Sequence, residues 1–73
     1  MLTWRDAVNS LTLGEAPARI ENRARVAVVE RSGDIYLATL FEADSPQVSW
    51  TFGPEQLDNT KARIRRFLGV YDE

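Results

Sequence analysis

Between residues 26 and 52 the chain sets three apolar, β-prone runs around two turn signals, which leaves few folds open. Val26-Ala27-Val28-Val29 is followed by Ser32-Gly33, and Ile35-Tyr36-Leu37-Ala38-Thr39-Leu40-Phe41 by Ala43-Asp44-Ser45-Pro46. The third run, Val48-Ser49-Trp50-Thr51-Phe52, alternates apolar and polar residues throughout. β-Branched and aromatic side chains suit a pleated, half-buried surface. Short connections containing glycine or other turn formers between such runs mark hairpins. The pattern predicts a three-stranded antiparallel meander with strands near 19–31, 34–43 and 47–52.

Turn placement sets register, and register decides which residues share a face. Closing the first hairpin at Ser32-Gly33 puts Val28 opposite Leu37 and Val26 opposite Thr39. Closing the second around Asp44-Ser45 puts Phe41 opposite Val48, Thr39 opposite Trp50 and Leu37 opposite Phe52. One face then gathers Val26, Val28, Ile35, Leu37, Phe41, Val48, Trp50 and Phe52, and is expected to be the core. The other carries Arg23, Arg25, Ala27, Val29, Tyr36, Ala38, Leu40, Ser49 and Thr51.

Two helices flank the strands. Thr3 serves as an N-cap with Asp6 three residues on, and Trp4, Ala7, Val8 and Leu11 fall at helical spacing, which predicts a helix near 4–13. Gly14 is expected to close it, and Pro17 prevents its resumption. Pro54 suits a first helical position and Glu55 the positive end of a helix near 54–68. Its buried stripe is Leu57, Thr60 or Lys61, Ile64, Phe67 and Leu68, with Gly69 as the stop. The expected fold is one small α+β domain over 1–73, ordered α-β-β-β-α, with both helices on one face of the meander. Trp4 and Phe67 belong to its core.

The chain's 73 residues include no cysteine and no histidine, which removes disulfides, thiol nucleophiles, imidazole bases and ordinary zinc sites. Its four glycines, at 14, 33, 53 and 69, are too scattered for a phosphate-cradling loop. Glu42 and Asp44 lack the spacing of a calcium loop and read as a solvated turn. An enzyme is not expected, nor is a cofactor or a metal. No apolar run approaches a membrane span and no leader-like segment opens the chain, so a cytoplasmic, membrane-free protein is expected.

Nine basic against eleven acidic residues give net −2, unlike the basic character of a dedicated nucleic-acid binder. Eight of the nine bases are arginine, whose planar fork suits interfaces and phosphates better than lysine does. The order α-β-β-β-α resembles the double-stranded-RNA-binding domain in topology. That family opens its second helix with a Lys-Lys pair, whereas this chain has Gly53-Pro54-Glu55-Gln56, and Lys61, Arg63, Arg65 and Arg66 come nearer the helix end. The family's function is therefore not carried over. In size and acidity the chain is similar to phage and mobile-element inhibitors, the anti-CRISPR class among them.

The expected function is a small protein-binding module acting by occupancy, as an inhibitor, adaptor or regulator. With the helices on the Val28 face, the Tyr36 face lies open, an apolar centre with an arginine rim. The partner-binding candidates are Arg23, Arg25, Val29, Tyr36 and Leu40, joined by Arg63 and Arg66 on the last helix. A protein is the expected partner, with self-association as a further possibility given the small core. The alternative is a nucleic-acid-binding regulator using the arginines.

Overall fold

The computed structural model describes residues 3–14 and 16–72. It is an α+β fold in which a four-stranded antiparallel sheet, ordered β1-β2-β3-β4, carries helices on one face. The strands are β1 (Ala18–Asn22), β2 (Arg25–Ser32), β3 (Ile35–Glu42) and β4 (Ser45–Phe52). A short helix α1 (Trp4–Asn9) precedes them, and a 3₁₀ turn (Pro54–Gln56) leads into α2 (Leu57–Leu68).

The expected first strand is two strands. A tight turn at Arg23-Ala24 folds β1 back on β2, pairing Asn22 with Arg25 and Ala18 with Val29. No glycine or proline marks this turn; Arg23 itself takes a left-handed φ of 58°. The order is thus α-β-β-β-β-α, so the topological likeness to the double-stranded-RNA-binding domain lapses as well.

Each expected turn lies one residue away from its observed place. The first hairpin turns at Gly33-Asp34, with Gly33 at φ 65°, and the second at Ala43-Asp44, at φ 50° and 66°. Positive φ at Gly33, the first central residue of the one turn, and at both central residues of the other matches the right-handed twist of the flanking strands. The first shift pairs Val28 with Thr39 instead of Leu37 but leaves Val26, Val28, Ile35, Leu37 and Phe41 on a common face. The second hairpin differs more deeply. Phe41 pairs with Pro46 but Leu40 pairs with Val48, so a bulge leaves Gln47 as an extra residue. One extra residue inverts everything beyond it. Trp50 therefore faces Ala38 and Phe52 faces Tyr36, on the opposite side from Val28.

The helices cover that second side. Val8, Leu11, Ile20, Ala27, Val29, Ala38, Leu40, Phe52, Ile64 and Leu68 form one buried cluster, with Trp4, Tyr36, Trp50, Leu57 and Phe67 packed around it. The small residues Ala27 and Ala38 lie mid-sheet beneath α2, where small side chains let a helix approach closely. The core face and the open face are the reverse of the expectation, because the bulge carries Trp50 and Phe52 over.

Local chemistry explains the helix ends. Thr3 Oγ1 accepts from the Asp6 N–H at 3.2 Å and the Asp6 carboxylate accepts from the Thr3 N–H at 3.3 Å, a reciprocal cap. α1 ends at Asn9, well before Gly14, where the Leu11 N–H turns back to the Val8 carbonyl at 3.1 Å and Leu11 drops into the core. The 3₁₀ turn and α2 together span the expected 54–68, and α2 buries Thr60, Ile64 and Leu68. Gly69 follows with φ −81°, not left-handed, and the chain continues as a 3₁₀ turn. Its lack of a side chain serves packing, since a Cβ there would stand 3.3 Å from Trp4 Cη2.

Candidate functional site

Two surfaces remain once the core is assigned. The first is the bare face of the sheet. Its centre is Val26, 8% exposed between its neighbours, with Val28, Leu37 and Phe41 half-buried around it and Ile35 43% exposed beside them. Arg19, Glu21 and Glu30 border this apolar patch, with Arg19 and Glu21 3.6 Å apart as an exposed pair. A hollow of about 230 Å³ opens on it, lined by Arg19, Val26, Val28, Phe41 and Asp44. Val26, Val28, Ile35, Leu37 and Phe41 share a face as the strand alternation predicts, but that face, expected to be the core, is the bare one. The missing signal was Gln47, which looks like any other strand residue.

The second surface runs along α2 and the β1–β2 turn, where arginines lie over aromatic rings. The Arg63 guanidinium sits 3.8 Å from the Trp50 ring centre, that of Arg25 4.4 Å from Phe67, and that of Arg23 5.3 Å from Tyr71. Tyr71 also lies 5.8 Å from the Arg25 guanidinium, so one ring joins the two arginines of the turn region. Arg25, Arg63, Arg66 and Phe67 line a hollow of about 280 Å³. A second hollow of about 120 Å³ shares Arg63 and continues past Trp50, Gln56 and Asn59.

Arg25 is anchored. Its Nε donates to Glu42 Oε2 at 2.9 Å and its Nη1 to the Phe67 carbonyl at 3.1 Å, while Asn22 Nδ2 donates to the Leu68 carbonyl at 2.6 Å. The β1–β2 turn thus caps the negative end of α2, whose C-cap Gly69 is not left-handed. Arg65 and Lys61 bind elsewhere, donating to Asn9 Oδ1 and the Asn9 carbonyl at 3.1 Å each, which ties α2 to α1.

The structure divides the expected partner-binding residues. Arg23, Arg25, Arg63 and Arg66 come together on the second surface. Val29 and Leu40 do not lie on an open face: they are 5% and 4% exposed, within the core. Tyr36 is half-buried and stacks on Phe52, ring centres 5.8 Å apart. Their displacement follows from the helices covering this side. Glu42, expected as part of a solvated turn, is the ion-pair partner of Arg25.

Among the described residues no group of three or more acidic, histidine or cysteine side chains is placed to hold a metal, and no helix is long and apolar enough to cross a membrane. Comparison with protein-family models, curated proteins and solved structures found no match to this chain.

Proposed function

We infer that this chain is a protein-binding module without catalytic chemistry, acting by occupancy as an inhibitor, adaptor or regulator. The observation that carries the reading is the bare sheet face, where Val26, Val28, Leu37, Phe41 and Ile35 form an apolar centre bordered by charged residues. Interfaces share this anatomy, with a desolvated apolar core inside a polar rim. At about 230 Å³ its hollow is smaller than pockets that enclose drug-sized ligands and matches one inserted side chain of a partner. Arg19 and Asp44 on its lining favour a protein with an apolar anchor flanked by charges of both signs.

Val28→Lys tests the reading, because the long aliphatic stem preserves contact with the sheet while the ammonium spoils an apolar interface. Cross-linking in native host lysate is expected to capture a defined partner with the wild-type chain and to lose it with Val28→Lys, circular dichroism staying unchanged. A folded variant that keeps every wild-type partner overturns the assignment.

A further inference from the structure

The arginine–aromatic surface lies apart from the bare sheet face and has a different chemistry. Four arginines, at 23, 25, 63 and 66, gather where Glu42 is the acidic ion-pair partner. Arg63 and Arg66 are neighbours on one helix flank, and adjacent like charges repel. Neither has an acidic partner among the described residues. In a chain of net charge −2 this concentrates positive potential on one patch.

The rings set the chemistry further. Arg63 is exposed and rests on Trp50, so its inner face is held by the indole while its outer face and edge N–H groups remain toward solvent. Arg23, also exposed, lies more loosely over Tyr71, 5.3 Å from its ring centre. A guanidinium backed by a ring offers a flat surface for stacking and a fork for an oxyanion together. Planar bases stack on arginine planes as they do on aromatic rings, and the phosphates between them meet the forks. A run of acidic side chains supplies charge without the planar ring that a nucleic acid sets beside every phosphate. The two hollows joined at Arg63 extend the surface along the helix, with Gln56 and Asn59 continuing it.

We propose that the track from Asn59 through Arg63 and Arg66 to Arg23, running past the anchored Arg25, binds a short single-stranded nucleic-acid segment, with phosphates on the edges of Arg63, Arg66 and Arg23 and a base on the outer face of Arg63. The protein would join a strand on this surface to whatever protein docks on the sheet, but the site stands independently of that docking.

The test is fluorescence anisotropy with a labelled oligothymidylate of about ten nucleotides, within the range one small domain covers. Binding that weakens with salt along a log–log slope of about −2 is expected, as for roughly three phosphates neutralised on a single strand. Arg63→Gln with Arg66→Gln is expected to lower affinity about tenfold or more and to flatten the slope by roughly one unit or more. Arg63→Lys keeps the charge but not the plane, so it preserves the slope while weakening binding. Val28→Lys leaves binding unchanged, which separates failure here from failure of the sheet-face reading. Salt-independent binding, no binding at low salt, or a folded double variant that binds like wild type overturns the proposal. So does displacement by polyglutamate of matched length at equal concentration, which assigns the patch to acidic protein instead.

Discussion

The Arg25 guanidinium donates to the Phe67 carbonyl at 3.1 Å and lies 4.4 Å from the centre of that residue's ring, so one side chain holds both the main chain and the side chain of Phe67. It joins the first residue of β2 to the end of α2. Cations at a helix C-terminus, charge-assisted hydrogen bonds and cation–π contacts are each modest when partly exposed, and here they coincide. Arg25→Ala is expected to lower stability by about 1–3 kcal/mol. Arg25→Lys should recover only part of that, since an ammonium cannot serve Glu42, the carbonyl and the ring in one plane. Urea denaturation of the three proteins is the measurement, and equal midpoints for all would remove the clasp.

The assignment of faces has a direct mutational signature. Leu40 is 4% exposed beneath the helices, whereas Leu37, three residues earlier, is half-buried on the bare side. Leu40→Ala is expected to cost about 2–5 kcal/mol and Leu37→Ala clearly less. The opposite ranking in chemical denaturation would mean the helices lie on the other face.

At the β3–β4 turn, Ala43 and Asp44 hold φ of 50° and 66° with side chains that gain nothing from it. Asn-Gly is the pair best suited to such a turn. Replacing Ala43 by Asn and Asp44 by Gly is expected to stabilise the domain by roughly 1 kcal/mol, raising Tm by about 4–8 °C in a chain of this size. Differential scanning calorimetry would detect a fall just as clearly.

The bulge predicts an asymmetry between two deletions. Removing Gln47 takes out the extra residue and leaves Leu40 opposite Val48 and Ala38 opposite Trp50, so a folded protein is expected. Removing Ser49 shifts Trp50 and Phe52 by one place and turns both toward the bare face, which should abolish cooperative unfolding. A folded Ser49 deletion with native near-ultraviolet dichroism would contradict the register.

The contrast between these deletions also shows what the amino-acid pattern reveals and what it hides. Pro54, the Ile64–Leu68 spacing and the Thr3–Asp6 pair act within a turn of chain, and the helices stand close to where those residues place them. The shared face of Val26, Val28, Leu37 and Phe41 was equally legible, because moving a turn by one residue shifts register by two and preserves parity. Gln47 broke the inference, since an extra strand residue has no signature in residue type. The Arg23-Ala24 turn was hidden for a related reason: its left-handed residue is an arginine, and besides the β1–β2 pairing it is Asn22 and Arg25, bonded to the distant end of α2, that hold it there. The arginines were recognised as a group, but their stacking on Trp50, Phe67 and Tyr71 depends on tertiary contact alone.

The close approach of Trp4 to Gly69 has a consequence for how the protein is made. The sheet is built from neighbouring hairpins, so its contacts are available as soon as each pair of strands has been synthesised. The covering layer is not, because α1 precedes the strands while α2, against which it packs, follows them. Until residue 69 clears the exit tunnel, the Ala27 and Leu40 side of the nascent meander lacks the cover of α2, and Trp4 lacks the Gly69 surface against which it packs. Folding before α2 emerges is therefore confined to the hairpins, and core closure waits for α2, an interval in which a chaperone or an early partner can intercept the chain.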